Sequence, residues 1–178
     1  MMTKIICVVD NATKKDTDLQ SEHGLAFWIE TEHGIVLFDT GQTVDVLFHN
    51  LNELGLSPQD IDMLALSHAH YDHTGGLEAI LSRNTKLTLF AHTDIFRPRY
   101  SHQKEEYRSI GLALEQSDLS KRIKMKLSDT PAEIAPNLWT TGEIVERPEP
   151  VGGSAHLFIR NGADWLPDPY QDDQSLVL

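Results

Sequence analysis

Residues Met63–Gly76 read MLALSHAHYDHTGG. The opening MLALS is apolar and too short for a buried helix, so it predicts a buried strand. It runs straight into four potential metal ligands within six residues, His68, His70, Asp72 and His73. Residues two apart at the end of a strand project to the same face, so His68 and His70 can bind one ion together through their imidazole nitrogens. The chain must then turn, and Gly75-Gly76 provides backbone freedom for that turn. Once turned, Asp72 and His73 can face a second ion. Two divalent ions roughly 3.5–4 Å apart can hold a hydroxide between them and clamp a phosphate or carbonyl oxygen. Imidazole and carboxylate without thiolate suit zinc, iron or manganese and do not choose among them; zinc is the ion expected first.

Outward from this loop, strand and helix patterns alternate. Upstream, Lys4–Val9 (KIICVV), Leu25–Thr31 (LAFWIET) and Ile35–Asp39 (IVLFD) are β-rich runs, and Glu32-His33-Gly34 marks a hairpin between the last two. Val44, Leu47, Phe48, Leu51 and Leu54 fall at helical spacing, with Gly55 where a C-cap belongs. Ser57-Pro58 predicts one further helical turn. Downstream, Leu77–Leu81 predicts a helix and Lys86–Phe90 a strand. This alternation favours a layered α/β domain. Strands resume near Leu138–Thr141 and His156–Arg160, and Asp172–Leu178 (DDQSLVL) reads as a loop feeding a strand. Phe27, Trp28 and Cys7 lie in predicted strands and read as core, Cys7 as a buried thiol. Gly152-Gly153-Ser154 reads as a turn.

The chain has 178 residues, the size of one compact domain. Fifteen Lys and Arg against twenty-seven Asp and Glu give a net charge of −12, which argues against a nucleic-acid binder working through a broad basic surface. No apolar run approaches the roughly 18 residues of a membrane span, and the start resembles a first strand rather than a leader, so the expected location is cytoplasmic. A single cysteine leaves no intrachain disulfide and no thiolate zinc cluster. Against the acidic background, residues 94–126 hold eight Lys or Arg and five Asp or Glu. They predict a basic helical insertion, with a helix from about Glu105 to Glu115. Arg97 and Arg99, flanking Pro98, are the best candidates to bind a substrate phosphate, because guanidinium pairs bidentately with phosphate oxygens.

SHAHYDHTGGL (Ser67–Leu77) matches the HxHxDH motif of the metallo-β-lactamase superfamily, and IVLFDTG (Ile35–Gly41) resembles the strand that closes on an Asp beneath that family's metal site. FAHTDIFRPR (Phe90–Arg99), LWTTGE (Leu138–Glu143) and DDQSLVL resemble the branch of the dihydropterin–ribofuranosylaminobenzene phosphate synthase type. The resemblance implies an αββα sandwich with a dinuclear site at its rim. His68 and His70 would ligate the first ion, Asp72 and His73 the second, and Asp39 would orient the ligands from beneath. It implies a single domain over residues 1–178 whose second half is incomplete, because the family's later segments, a turn with Cys and His and a further His, are not present. His92, His102, His156, Asp172 and Asp173 are the candidates to supply further ligands, and Asp10 stands at the end of the first strand.

The expected activity is hydrolysis of a small ester or phosphoester by a metal-bound hydroxide that Asp72 helps to orient, on a substrate of the pterin or ribofuranosylaminobenzene phosphate kind. Two alternatives stand beside it. One is a shortened, catalytically impaired metal-binding member that pairs with a second copy through an open sheet edge. The other is a glyoxalase-type thioesterase.

Overall fold

The computed structural model describes residues 3–146 and 155–178; the Gly152-Gly153-Ser154 turn lies outside the described residues. The central sheet has six strands in the order β1 (Lys4–Val9), β2 (Ala26–Thr31), β3 (Gly34–Phe38), β4 (Met63–Ala65), β5 (Thr88–Ala91) and β8 (Lys124–Leu127). The first two pairings are antiparallel, and those from β3 through β8 are parallel. The two-residue connection Glu32-His33 closes the predicted hairpin, with Thr31 opposite Gly34.

Side-chain alternation decides what covers each face of this sheet. Val8, Trp28, Leu37, Leu64 and Leu89 point to one face and pack against Leu47 and Leu51 of α1 (Val44–Glu53), Leu77, Ile80 and Leu81 of α3 (Leu77–Leu81), and Leu119 of α4 (Gln116–Arg122). Their neighbours Ile29, Val36, Ala65 and Phe90 point to the other face. There they meet Ile134 and Ala135 of β9 (Ala132–Ala135) and Leu138 of β10 (Leu138–Thr140). β9, β10 and β13 (Leu176–Val177) form a small antiparallel second sheet. Among the described residues the layers are therefore helix, sheet and sheet, three of the four in the expected sandwich. α1 begins and ends as its sequence predicts. The Thr43 side chain accepts the Val46 N–H at 3.3 Å, and Gly55 follows the helix with φ +67°.

The basic segment differs from its expectation. Residues Glu105–Glu115 do not form a helix; β6 (Arg99–Gln103) and β7 (Glu106–Ser109) make a hairpin, and the helix of this segment, α4, starts at Gln116. The hairpin turns at Lys104 and Glu105, with φ +48° and +67°. Two successive positive φ values make the tight turn that suits a strand's twist, but Asn-Gly is its usual sequence signal. β6 also pairs with β11 (Leu157–Asn161), which pairs with β12 (Asp164–Pro167), giving a third, four-stranded sheet. Cys7 is exposed on β1, not buried, whereas Trp28 is core at 1 % exposure.

Candidate functional site

The strand-to-loop transition after β4 carries the predicted residues to one rim. Asp39 follows β3 with φ +60° and is fully buried. Its carboxylate accepts the Ser67 N–H and Ser67 Oγ–H, each at 2.7 Å, and the His73 Nδ1–H at 2.8 Å. Because Ser67 Oγ spends its proton on Asp39, it can accept the Nδ1–H of His68 at 2.9 Å. One buried carboxylate thus fixes the tautomer of His73 directly and that of His68 through a hydroxyl. In their neutral forms both imidazoles carry the lone pair on Nε2, the form that ligates metal. The His68 ring lies 4.1 Å from that of His73 and 4.7 Å from that of His70, centroid to centroid.

His70 ends the extended stretch and caps α2 (Tyr71–Thr74). That single helical turn swings Asp72 and His73 to the same rim, so that Asp72 Oδ2 lies 3.5 Å from His73 Nε2. Gly75 and Gly76 are required here for space rather than for backbone freedom. Their φ values, −64° and −84°, are open to any residue, but a Cβ on either would overlap a backbone oxygen of the opposing loop, Gln42 O or Thr40 O.

Electrostatics keep the site's imidazoles distinct. Burial pushes His68 down to about 2, with the neighbouring His73 and His70 adding to the effect, so it stays neutral. His73 is raised: burial works against its charge, but the contact with Asp39 and the charge of Asp72 outweigh it.

Two further carboxylates reach this rim from the segment after β12. Asp172 is fully buried, and its Oδ2 accepts the Ala69 N–H, between the two motif histidines, at 2.8 Å. Asp168 Oδ2 lies 3.8 Å from His70 Nε2, too far for a hydrogen bond, and both atoms are buried without a hydrogen-bond partner. Sequence reasoning named Asp172 but missed Asp168, which sits between two prolines with no local signal to mark it. It also missed His23, whose Nε2 lies 3.3 Å from Asp72 Oδ2.

The predicted phosphate-binding arginines are placed differently. Arg99 is 1 % exposed and faces Asp94 at 3.0 Å, Asp172 at 2.6 Å and Asp168 at 3.3 Å. Its guanidinium is spent holding the Asp168–Asp172 segment against the motif, not presented on a lid. Arg97 is 3.9 Å from the same Asp94. Arg122 makes a two-pronged contact with Glu78 across neighbouring helices, with bonds of 2.8 and 3.0 Å.

Of the other ligand candidates, His156 lines the cleft beside the motif. His102 stacks on Tyr107 at 4.4 Å in the third sheet. His92 is buried and accepts the Asp94 N–H. Asp173 is near enough for its charge to raise His73. Asp10 is exposed and accepts its neighbour's N–H.

The cleft has a volume of 290 Å³ and is lined chiefly by polar groups, among them His23, His70, Asp72, Ser101, Gln103 and His156. Donor chemistry and the orphaned Nε2 of His70 fit divalent ions. Among the described residues, however, no three His, Cys, Asp or Glu side chains already close around one point. The donors are gathered at one rim, short of a finished cage.

A family model described as the metallo-beta-lactamase superfamily matches residues 21–163. The chain belongs to that superfamily. It is 33 % identical over 148 residues to the 7,8-dihydropterin-6-methyl-4-(beta-D-ribofuranosyl)-aminobenzene-5'-phosphate synthase of Methanocaldococcus jannaschii, covering 79 % of this chain and 50 % of that protein. An uncharacterized protein of the same organism, MJ0448, is 30 % identical over 145 residues, covering 80 % of this chain and 53 % of its own length. The chain thus spans about half the length of the curated relatives it matches. Tm1679, a metal-dependent hydrolase of the beta-lactamase superfamily, superposes with a TM-score of 0.74 at 24 % identity, over 98 % of this chain and 60 % of that one. Among the described residues no helix is long and apolar enough to cross a membrane.

Proposed function

We propose that this chain carries the hydrolytic centre of a metal-dependent hydrolase-like enzyme acting on a small ester or phosphoester. His68 and His70 would hold one divalent ion, Asp72 and His73 a second, with Asp39 orienting the set from beneath. The observation that carries this reading is the tautomer lock. Asp39 and Ser67 occupy the Nδ1–H of His73 and His68, so that both Nε2 atoms face the rim where Asp72 stands. Divalent ions held there, zinc by preference, supply Lewis acidity and a water acidic enough to ionise near neutral pH.

The protein's own part is positioning. Asp72, mostly buried, aims a carboxylate at the space shared with His73 and is placed to orient the attacking water. Asp172 fixes the loop between His68 and His70 through the Ala69 N–H. Ser101, Gln103 and His156 line the cleft and can donate to a substrate's phosphate or carbonyl oxygens, the part first expected of Arg97 and Arg99. The similarity to the phosphate-product synthase of M. jannaschii favours a phosphate-bearing substrate.

Metal content per chain tests this. Protein prepared without chelators should carry close to two ions, fewer in His70→Ala, and should cleave members of a phosphoester, ester and thioester panel. Background metal in both proteins would overturn the reading.

A further inference from the structure

We propose that His23, from the loop before β2, is a further ligand at this centre, completing the Asp72–His73 side. The inference rests on the metal-dependent reading above. Its starting point is the pair of imidazoles that converge on Asp72 Oδ2. His23 Nδ1 faces Asn11 Oδ1 at 3.1 Å. In the neutral tautomer that donates its Nδ1–H to that amide oxygen, Nε2 carries the lone pair. That lone pair is aimed at Asp72 Oδ2, 3.3 Å away. His73 repeats the arrangement on the other side: its Nδ1–H goes to Asp39 at 2.8 Å, and its Nε2 stands 3.5 Å from the same Asp72 oxygen.

One carboxylate oxygen therefore faces the Nε2 edges of two imidazoles whose Nδ1 atoms are both turned to oxygens. A divalent cation lying among the three atoms would be held by all of them. A tetrahedral ion with bonds of about 2.0–2.1 Å keeps its ligand atoms roughly 3.3–3.4 Å apart, close to both separations. Each imidazole donates its remote N–H to an oxygen, the arrangement by which protein oxygens orient metal-bound histidines. His23 and His73 meet through Asp72 Oδ2, so an ion would draw the three together.

The loop is built to hold His23 at this place. On one side, Glu22 accepts the Gln42 N–H, the Thr43 N–H and the Thr43 hydroxyl, at 2.8, 3.0 and 2.6 Å. On the other, Gly24 has φ +133°, and a Cβ there would overlap the carbonyl oxygen of Asp72. The backbone beside His23 is thus pressed onto the turn that carries Asp72, and only glycine permits it. The His23 ring is 71 % exposed and has no core role to explain the anchoring.

Cobalt(II) is the probe, titrated into metal-free full-length protein, with uptake read by competition against a chromophoric chelator and by the visible ligand-field bands. Wild type, His23→Ala, His23→Gln and Asn11→Ala are compared, with circular dichroism melts to verify the fold of each. We expect His23→Ala and His23→Gln to melt like wild type, to bind cobalt at least about tenfold more weakly and to lose band intensity. Asn11→Ala, which frees the tautomer, should fall between. Wild-type uptake matched by both His23 variants in affinity and spectrum would overturn the His23 assignment and leave the metal centre standing. A wild type that takes up no cobalt would overturn both.

Discussion

Replacing Asp39 by Asn separates the two parts of the site reading, because it preserves shape and backbone while changing hydrogen-bond polarity. Asn tolerates the left-handed φ of +60° at this position, so no backbone strain is introduced. Asp39 accepts three hydrogen bonds, from Ser67 N, Ser67 Oγ and His73 Nδ1. The Asn oxygen can keep the one from Ser67 N–H. Its amide NH₂ must then face the Ser67 hydroxyl and the His73 Nδ1–H. The hydroxyl can turn to accept, but His73 cannot without moving its proton to Nε2.

The variant therefore has two outcomes at His73. Leaving two donors opposed in a buried position costs about 1–3 kcal/mol of stability. Shifting the tautomer instead removes the Nε2 lone pair and weakens metal binding by about 10–100-fold, or roughly 1.4–2.7 kcal/mol. Urea unfolding of metal-free protein measures the first, and zinc competition with a chromophoric chelator the second. We expect the two losses to sum to at least about 1 kcal/mol, with Asp39→Ala worse in the urea assay because it also places Ala at positive φ. A D39N protein with wild-type unfolding midpoint and wild-type zinc affinity would refute the claim that Asp39 sets the histidine tautomers.

Arg99→Met should be severely destabilising. It leaves Asp168 and Asp172 buried without their guanidinium, a defect costing about 3–5 kcal/mol, and should lower the melting temperature by about 10 °C or more. Stability should also fall as pH rises from about 4 to about 6. Burial raises Asp172 to about 6 against an ordinary value of 3.8, so in that interval the folded protein keeps a proton that the unfolded chain has released. The contribution is fully present below pH 4, is lost by about pH 6 and amounts to at most about 3 kcal/mol. Urea midpoints across this range should show the slope in wild type and lack it in Asp172→Asn.

What was legible in the sequence is what short-range pattern encodes. Period-two alternation in LAFWIET and IVLFD, and helical spacing from Val44 to Leu54, predict the central sheet and α1 because each burial choice repeats within a few residues. The motif was legible for the same reason: the turn from β4 into α2 is local, so the spacing of His68, His70, Asp72 and His73 fixes their common rim. The third sheet was not. RYSHQ and EYRS are polar strands joined by Lys104-Glu105, a tight turn in a sequence that does not advertise one, and Tyr107, Ile110 and Leu114 mimic a helical stripe. Asn161-Gly162 did carry a hairpin signal, and reading it would have found β12. His23, Arg99 and Asp168 belong to a third kind. Their roles come from tertiary placement alone, and a basic residue in an acidic chain reads as a surface patch until the fold shows three carboxylates around it.

That placement also has an electrostatic consequence for the centre as a whole. Asp39, Asp72, Asp168 and Asp172 are each buried within reach of the motif histidines, and Arg99 is the permanent cation that pairs with two of them. Asp39 is satisfied by three donors, and Asp172 by Ala69 N–H and Arg99. Asp72 is different, because two imidazole Nε2 atoms face it, that of His23 at 3.3 Å and that of His73 at 3.5 Å. Uncompensated carboxylate charge in a buried setting is expensive, and proteins retain it where a proton or a metal will complete it. His68 is held neutral, whereas the charged form of His73 is favoured by Asp39 and by Asp72. Asp72 is the carboxylate on which the loop before β2, the turn of α2 and the cleft converge. A divalent cation held there, as proposed above, would complete the charge of Asp72.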